Sequence, residues 1–177
     1  MAKVLFINPV VREEDKPKHI PYGIAMLAAI AIDKGHQVQI YDANAHRLGY
    51  EIVSDVVKAD DWDVIAIGGL TTTYGSIKKT VKIIKEARPD VMIIGGGGFM
   101  TSMPLDIMSW LPEIDLGIIG EAVITFPEVL EMIDQKNFDF SSTKGVCYRD
   151  SDGRPRLTHG REILWNVDLL PYQAWVL

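Results

Sequence analysis

The sequence predicts an α/β fold, a parallel sheet with helices on both faces. Two observations carry this reading. Five short runs rich in Val and Ile recur along the chain, at residues 4–7, 38–41, 64–67, 91–94 and 116–119, with Gln39 the one strongly polar residue among them. Strands buried on both faces read this way. Segments with helical period lie between the runs, so strand and helix alternate five times. That pattern gives right-handed crossovers and a layer of helices on each side of the sheet. Five such units suit a flavodoxin-like (Rossmann-like) three-layer sandwich, a five-stranded parallel sheet of order 2-1-3-4-5.

Each helix has its own signal. Met26, Leu27, Ile30 and Ala31 share one face of the first, which stops at Gly35. Ile52, Val56 and Val57 mark the second, and Ile77, Val81, Ile84 and Ala87 the third, closed by Arg88-Pro89. Leu105, Met108 and Leu111 mark a short fourth, and Phe126, Val129, Leu130 and Ile133 a fifth. The pattern changes after Asn137: residues 145–149 read as a strand, 150–153 as a hairpin turn and 156–158 as its return. The chain therefore divides into a sandwich domain, 1–140, and a small C-terminal β-hairpin appendage with a linker, 141–177.

Composition narrows the function. Of 177 residues, 47% are apolar and 24% charged, as in an ordinary globular domain. Cys147 is the only cysteine, so the chain makes no internal disulfide, cysteine-rich zinc site or iron–sulfur cluster by itself. Cys147 sits between Val146 and Tyr148 and reads as buried packing. A net charge of −6 gives no global pull toward nucleic acid. No apolar stretch reaches the length of a membrane span, and residues 1–7 carry no signal-peptide pattern, so a cytoplasmic protein is expected.

Ligands of open parallel sheets bind beyond the carboxyl ends of the strands. There the sequence places Asn8-Pro9, then His19 and Pro21-Tyr22-Gly23; Gly68-Gly69-Leu70-Thr71-Thr72-Thr73-Tyr74; Gly95-Gly96-Gly97-Gly98; and Gly120-Glu121. Consecutive glycines are entropically costly and admit a close approach to the backbone. The threonines supply hydroxyls, for a ligand or for helix capping, and Glu121 could equally serve a helix N-terminus. These loops hold few acid–base groups, which suits retaining a large cofactor better than catalysis. There is no Gly-x-Gly-x-x-Gly after the first strand, no P-loop and no Gly-x-Ser-x-Gly elbow. Asn8 and Gly68 stand where a phosphoacceptor receiver domain needs acids. The acidic run at 60–63 precedes the third strand, at the wrong end of the sheet, and reads as a solvated loop.

In order and position, Asn8-Pro9, Pro21-x-Gly23, Tyr41-Asp42-Ala43-Asn44, Thr71-Thr72-Thr73-Tyr74, Gly95 to Gly98, Gly120-Glu121 and Leu170-Pro171-x-x-Ala174-Trp175 resemble the cobalamin-binding domain found ahead of radical S-adenosylmethionine cores. The wider cobalamin fold has Asp-x-His-x-x-Gly after the first strand, Ser-x-Leu after the third and Gly-Gly after the fourth, with the nucleotide tail entering the core between the last two loops. Here Gly68-x-Leu70 replaces Ser-x-Leu, Gly96-Gly97 matches Gly-Gly, and the histidine motif is missing. Asn44-Ala45-His46-Arg47-Leu48-Gly49 imitates that motif in the wrong loop, after the second strand. His19 lies in the right loop at the wrong spacing and is the candidate axial ligand to cobalt; His36 and His159 read as structural or surface residues.

The resemblance implies a cobalamin-binding module of a longer radical S-adenosylmethionine enzyme, resembling a methyltransferase, in which a [4Fe–4S] cluster and S-adenosylmethionine act in a core after the linker. This chain alone is then not catalytic, its partners are that core and the core's small-molecule substrate, and no nucleic acid is involved. Cofactor contacts fall on Pro21, Tyr22, Gly23, Gly68, Leu70, Thr71, Thr72, Thr73, Tyr74, Gly95, Gly96, Gly97, Gly98, Gly120 and Glu121. The missing histidine motif keeps an alternative open: a flavodoxin-like domain that has lost cobalamin and serves another ligand or another domain.

Overall fold

The structure, a computed structural model, describes residues 1–12, 14 and 20–175. Strands β1 (Lys3–Asn8), β2 (Gln37–Asp42), β3 (Val64–Gly68), β4 (Met92–Gly96) and β5 (Leu116–Ile118) are parallel neighbours in the order β2-β1-β3-β4-β5. This is the expected flavodoxin-like order. The sheet does not end there. Strands β6 (Val146–Arg149) and β7 (Pro155–Leu157) form the expected hairpin, and β6 pairs antiparallel with β5, giving seven strands in one sheet. The reason is the free edge of β5, which would otherwise present unpaired N–H and C=O groups. Asp150 builds the hairpin turn, accepting from Arg154 N at 2.9 Å and from Arg156 Nε at 2.7 Å. The Arg149 guanidinium reaches back to the carbonyls of Met108 and Ile114, at 2.7 and 3.1 Å.

Alternate residues of each central strand feed two cores. Leu5, Ile7, Ile65, Ile67 and Ile93 face α3 (Tyr50–Lys58), α4 (Tyr74–Ala87), α5 (Gly98–Ser102) and α6 (Pro104–Trp110). Val4, Phe6, Val64, Ala66 and Ile94 face α1 (Tyr22–Asp33) and α7 (Ala122–Asp134), with the Phe6 and Phe126 rings 5.3 Å apart. A short α2 (Ala43–His46) follows β2. The chain crosses between helix layers at β1 and β3, so the switch in strand order lies between their carboxyl ends. The helix after β4 also departs from expectation. The single short fourth helix is two helices, and the last glycine of the run opens the first of them. Burial of Phe99 and Met100 offsets glycine's poor helix propensity. No helix among the described residues is long and apolar enough to cross a membrane.

His36 is structural, as expected. It is buried, and its Nδ1 accepts from Ala2 N at 3.1 Å, so the ring is neutral and its 3.8 Å approach to Asp134 is no ion pair. Burial pushes its pKa below the ordinary 6.5, against the opposing pull of Asp134. The unfolded chain therefore binds the proton more readily, and stability present above pH 6.5 is lost as pH falls toward the folded value. Thermal melts from pH 7.5 to 5 are expected to show this loss, and His36→Gln should flatten part of the slope.

Candidate functional site

The carboxyl ends of β1, β3, β4 and β5 form one edge, and glycine dominates its centre. Gly68 and Gly96 are register partners on β3 and β4, and a Cβ on Gly68 would lie 3.1 Å from the Gly96 carbonyl oxygen. Gly97 has φ 83 and ψ −169, backbone that is essentially glycine-only, and a Cβ there would lie 2.9 Å from Gly69 O. Phe99 N donates to Gly69 O at 3.1 Å, tying the two glycine loops together. Gly98, against Leu70, completes this seam.

The two faces of β4 differ at this edge. A Cβ on Gly95 would meet Met100 and Ile114 at 2.8 and 3.2 Å, so that face is filled. Gly96 points to the opposite face, toward α1 and α7, and among the described residues a Cβ there would meet nothing within 4 Å. Among the described residues, positions beside α1 and α7 are similarly open: Gly23 and Gly120 have no neighbour within 4 Å of a Cβ, and Gly120 has φ 73. The space left by small residues therefore lies on the α1/α7 side of the sheet edge.

The polar groups divide unequally. Thr73 is buried, and its hydroxyl accepts from Leu70 N at 3.1 Å and donates to Leu70 O at 2.8 Å, so it holds the turn after β3. Thr71 and Thr72 are exposed on that same single 3-10 turn, beside Leu70, which is 60% exposed. Tyr74 turns away and packs edge-on against Trp110, ring centroids 6.0 Å apart. Glu121 is exposed and makes no capping bond to α7. Pro21 and Tyr22 begin α1, and Tyr22 packs edge-on against Trp175 at 5.3 Å, where Ala174 N donates to Ala25 O. The C-terminal segment thus returns to the same rim, pinned at its other end by Arg161 on Thr125 and Glu128 of α7. His19, the candidate cobalt ligand, lies outside the described residues.

Thr101 was not singled out by its sequence context, yet its Oγ1 accepts from Gly120 N at 2.9 Å and joins the rims of β4 and β5. Its signal is position, one turn into the helix that follows the glycine run. Among the described residues no group of three or more His, Cys, Asp or Glu side chains is placed to hold a metal ion. Cys147 is buried, and burial pushes its thiol up to about 11. We expect no reaction with an aromatic disulfide reagent at pH 8 until denaturant is added. An open groove of about 340 Å³, lined by Tyr50, Lys58 and Glu86 among others, lies between α3 and α4 rather than on the sheet edge.

Among the described residues this edge exposes backbone at its centre, sets the Thr71 and Thr72 hydroxyls beside it and holds no nucleophile–base pair. The profile of the B12 binding domain matches residues 9–130. An uncharacterised methyltransferase of Pyrococcus horikoshii is 28% identical over 157 residues, 89% of this chain and 34% of that protein. The anaerobic magnesium-protoporphyrin IX monomethyl ester cyclase of a Synechocystis strain is 25% identical, over 83% of this chain and 30% of its own length. The chain thus spans about a third of the length of these relatives. The same fold occurs in the cobalamin-dependent S-adenosylmethionine radical enzyme OxsB with aqua-cobalamin and S-adenosylmethionine bound, at TM-score 0.81 and 13% identity over 98% of this chain and 24% of that one. It occurs also in the radical S-adenosylmethionine methyltransferase TsrM of Kitasatospora setae with cobalamin and a [4Fe–4S] cluster bound, at TM-score 0.78 and 16% identity over 96% of this chain and 31% of that one. The family match spans more than half the residues and both glycine loops: this chain belongs to the B12-binding domain family.

Proposed function

We propose that the chain holds cobalamin at the carboxyl edge of its sheet and presents it to a radical S-adenosylmethionine core in a longer enzyme, one resembling a methyltransferase. The observation that carries this reading is the open position at Gly96, flanked by Gly23 and Gly120 on the α1/α7 side. The residues fit the group. Pro21, Tyr22, Gly23, Gly68, Gly96, Gly120 and Glu121 border that side of the edge, where the nucleotide tail would lie. This differs from a tail passing between the glycine loops, because the Phe99–Gly69 bond and the Gly97–Gly69 contact close that seam. Leu70, Thr71 and Thr72 would meet the corrin, with the two threonines exposed where their hydroxyls could bond its amide groups. Thr73, Tyr74, Gly95, Gly97 and Gly98 shape the loops rather than touch the ligand.

Cobalamin supplies a cobalt-centred methyl carrier when bound; a [4Fe–4S] cluster and S-adenosylmethionine would act in the core. The work of this chain is binding and orientation. The C-terminal segment favours a partner at this rim: Trp165 is 91% exposed and Tyr172 97%, and both lie between the anchors at Arg161 and Trp175. Exposed aromatics of this kind mark contact surfaces. Gel filtration after mixing with hydroxocobalamin tests the reading. A corrin absorbance band eluting with the protein is expected, and its absence would favour the alternative of a domain without cobalamin, which the closed seam keeps in view.

A further inference from the structure

The Asn44-x-His46-x-x-Gly49 segment imitates a cobalamin motif in the wrong loop, yet the structure gives its surroundings a definite arrangement. Asp42 Oδ1 accepts from Ala45 N at 2.9 Å and from Asn8 Nδ2 at 2.8 Å, tying the ends of β1 and β2 to α2. Asn44 is 1% exposed; its Oδ1 accepts from Val11 N at 3.1 Å, while its Nδ2 is buried with no hydrogen-bond partner among the described residues. Arg47 ends α2 in left-handed backbone, φ 56, and its guanidinium donates to the carbonyl of Arg12. One four-residue helix thus grips two consecutive residues of the loop after β1.

Both grips are costly. A buried amide with its donor unspent destabilises the fold, and a residue chosen for packing alone would be apolar. A left-handed position at a helix end is ordinarily filled by glycine. Two such costs, in one helix and directed at one loop, point to a requirement for holding that loop. The loop leaves β1 beside the switch in strand order, at the rim where cobalamin is proposed to lie.

We propose that Asn44 and Arg47 are positioning residues that hold the start of the β1–α1 loop in place for the cofactor, an inference that rests on the cobalamin reading. Arg47→Gly separates this role from stability, because glycine suits the left-handed backbone while the guanidinium is lost. Its melting temperature is expected to match or exceed that of the wild type. Its affinity for hydroxocobalamin is expected to fall about tenfold, the worth of one charge-assisted hydrogen bond. Amide exchange at Val11 and Arg12 should accelerate while β3 and β4 stay unchanged. Asn44→Ala is expected to show the same loss of affinity with a lower melting temperature. Wild-type affinity in Arg47→Gly, alongside a wild type that binds, overturns the positioning role alone. A wild type that takes up no hydroxocobalamin overturns the cobalamin reading and this inference with it.

Discussion

Gly97→Ala is expected to lower the melting temperature by about 10 °C, from a stability loss of about 3–5 kcal/mol. Two terms add. The backbone at φ 83 and ψ −169 is open to glycine almost alone, which costs any other residue about 1–3 kcal/mol. The new methyl would also lie 2.9 Å from Gly69 O and 3.0 Å from Gly69 N, both backbone atoms that cannot rotate away. Relief requires the loops after β3 and β4 to part, which breaks the Phe99–Gly69 bond. Thermal melts of the purified variant measure this directly, and a loss under about 1 kcal/mol would mean the loops separate freely.

Gly96→Val, one residue earlier, is expected to do the reverse. Its Cβ enters open space, and valine is a good strand residue, so the melting temperature should hold within about 2 °C. The added side chain occupies the α1/α7 side of the edge, where the nucleotide tail is proposed to lie. Hydroxocobalamin affinity should fall about a hundredfold, the equivalent of roughly 3 kcal/mol of steric overlap. Titration followed by visible absorbance reads it. The two variants together separate a glycine that builds the loop from one that leaves room for a ligand.

The parallel core was legible because the central strands, buried on both faces, leave a nearly unbroken apolar signature, while the edge strand β2 alternates with exposed Gln37 and Gln39, and five such strand–helix units dictate few topologies. The hairpin turn was legible in Asp150 and Gly153, but its place in the sheet was not. Period and turn residues describe a strand, not its partner, and what recruits β6 is the open edge of the short β5. The glycine run read as one loop because propensity argues against a helix at Gly98, whereas tertiary burial of Phe99 and Met100 decides otherwise. Among the threonines, identity could not say which hydroxyl is spent: Thr73 turns inward to Leu70, while Thr71 and Thr72 face out. The grip of Asn44 on Val11 joins residues 33 apart, and only the neighbouring ends of β1 and β2 bring them together.

Amide hydrogen exchange with and without hydroxocobalamin tests most directly whether cobalamin sits at the carboxyl edge. Slower exchange is predicted at residues 20–24, 68–72, 96 and 120–123, the segments that border the open side of that edge or would meet the corrin. Protection confined to the α3–α4 groove around Tyr50 and Glu86, or none at any loop, would contradict it.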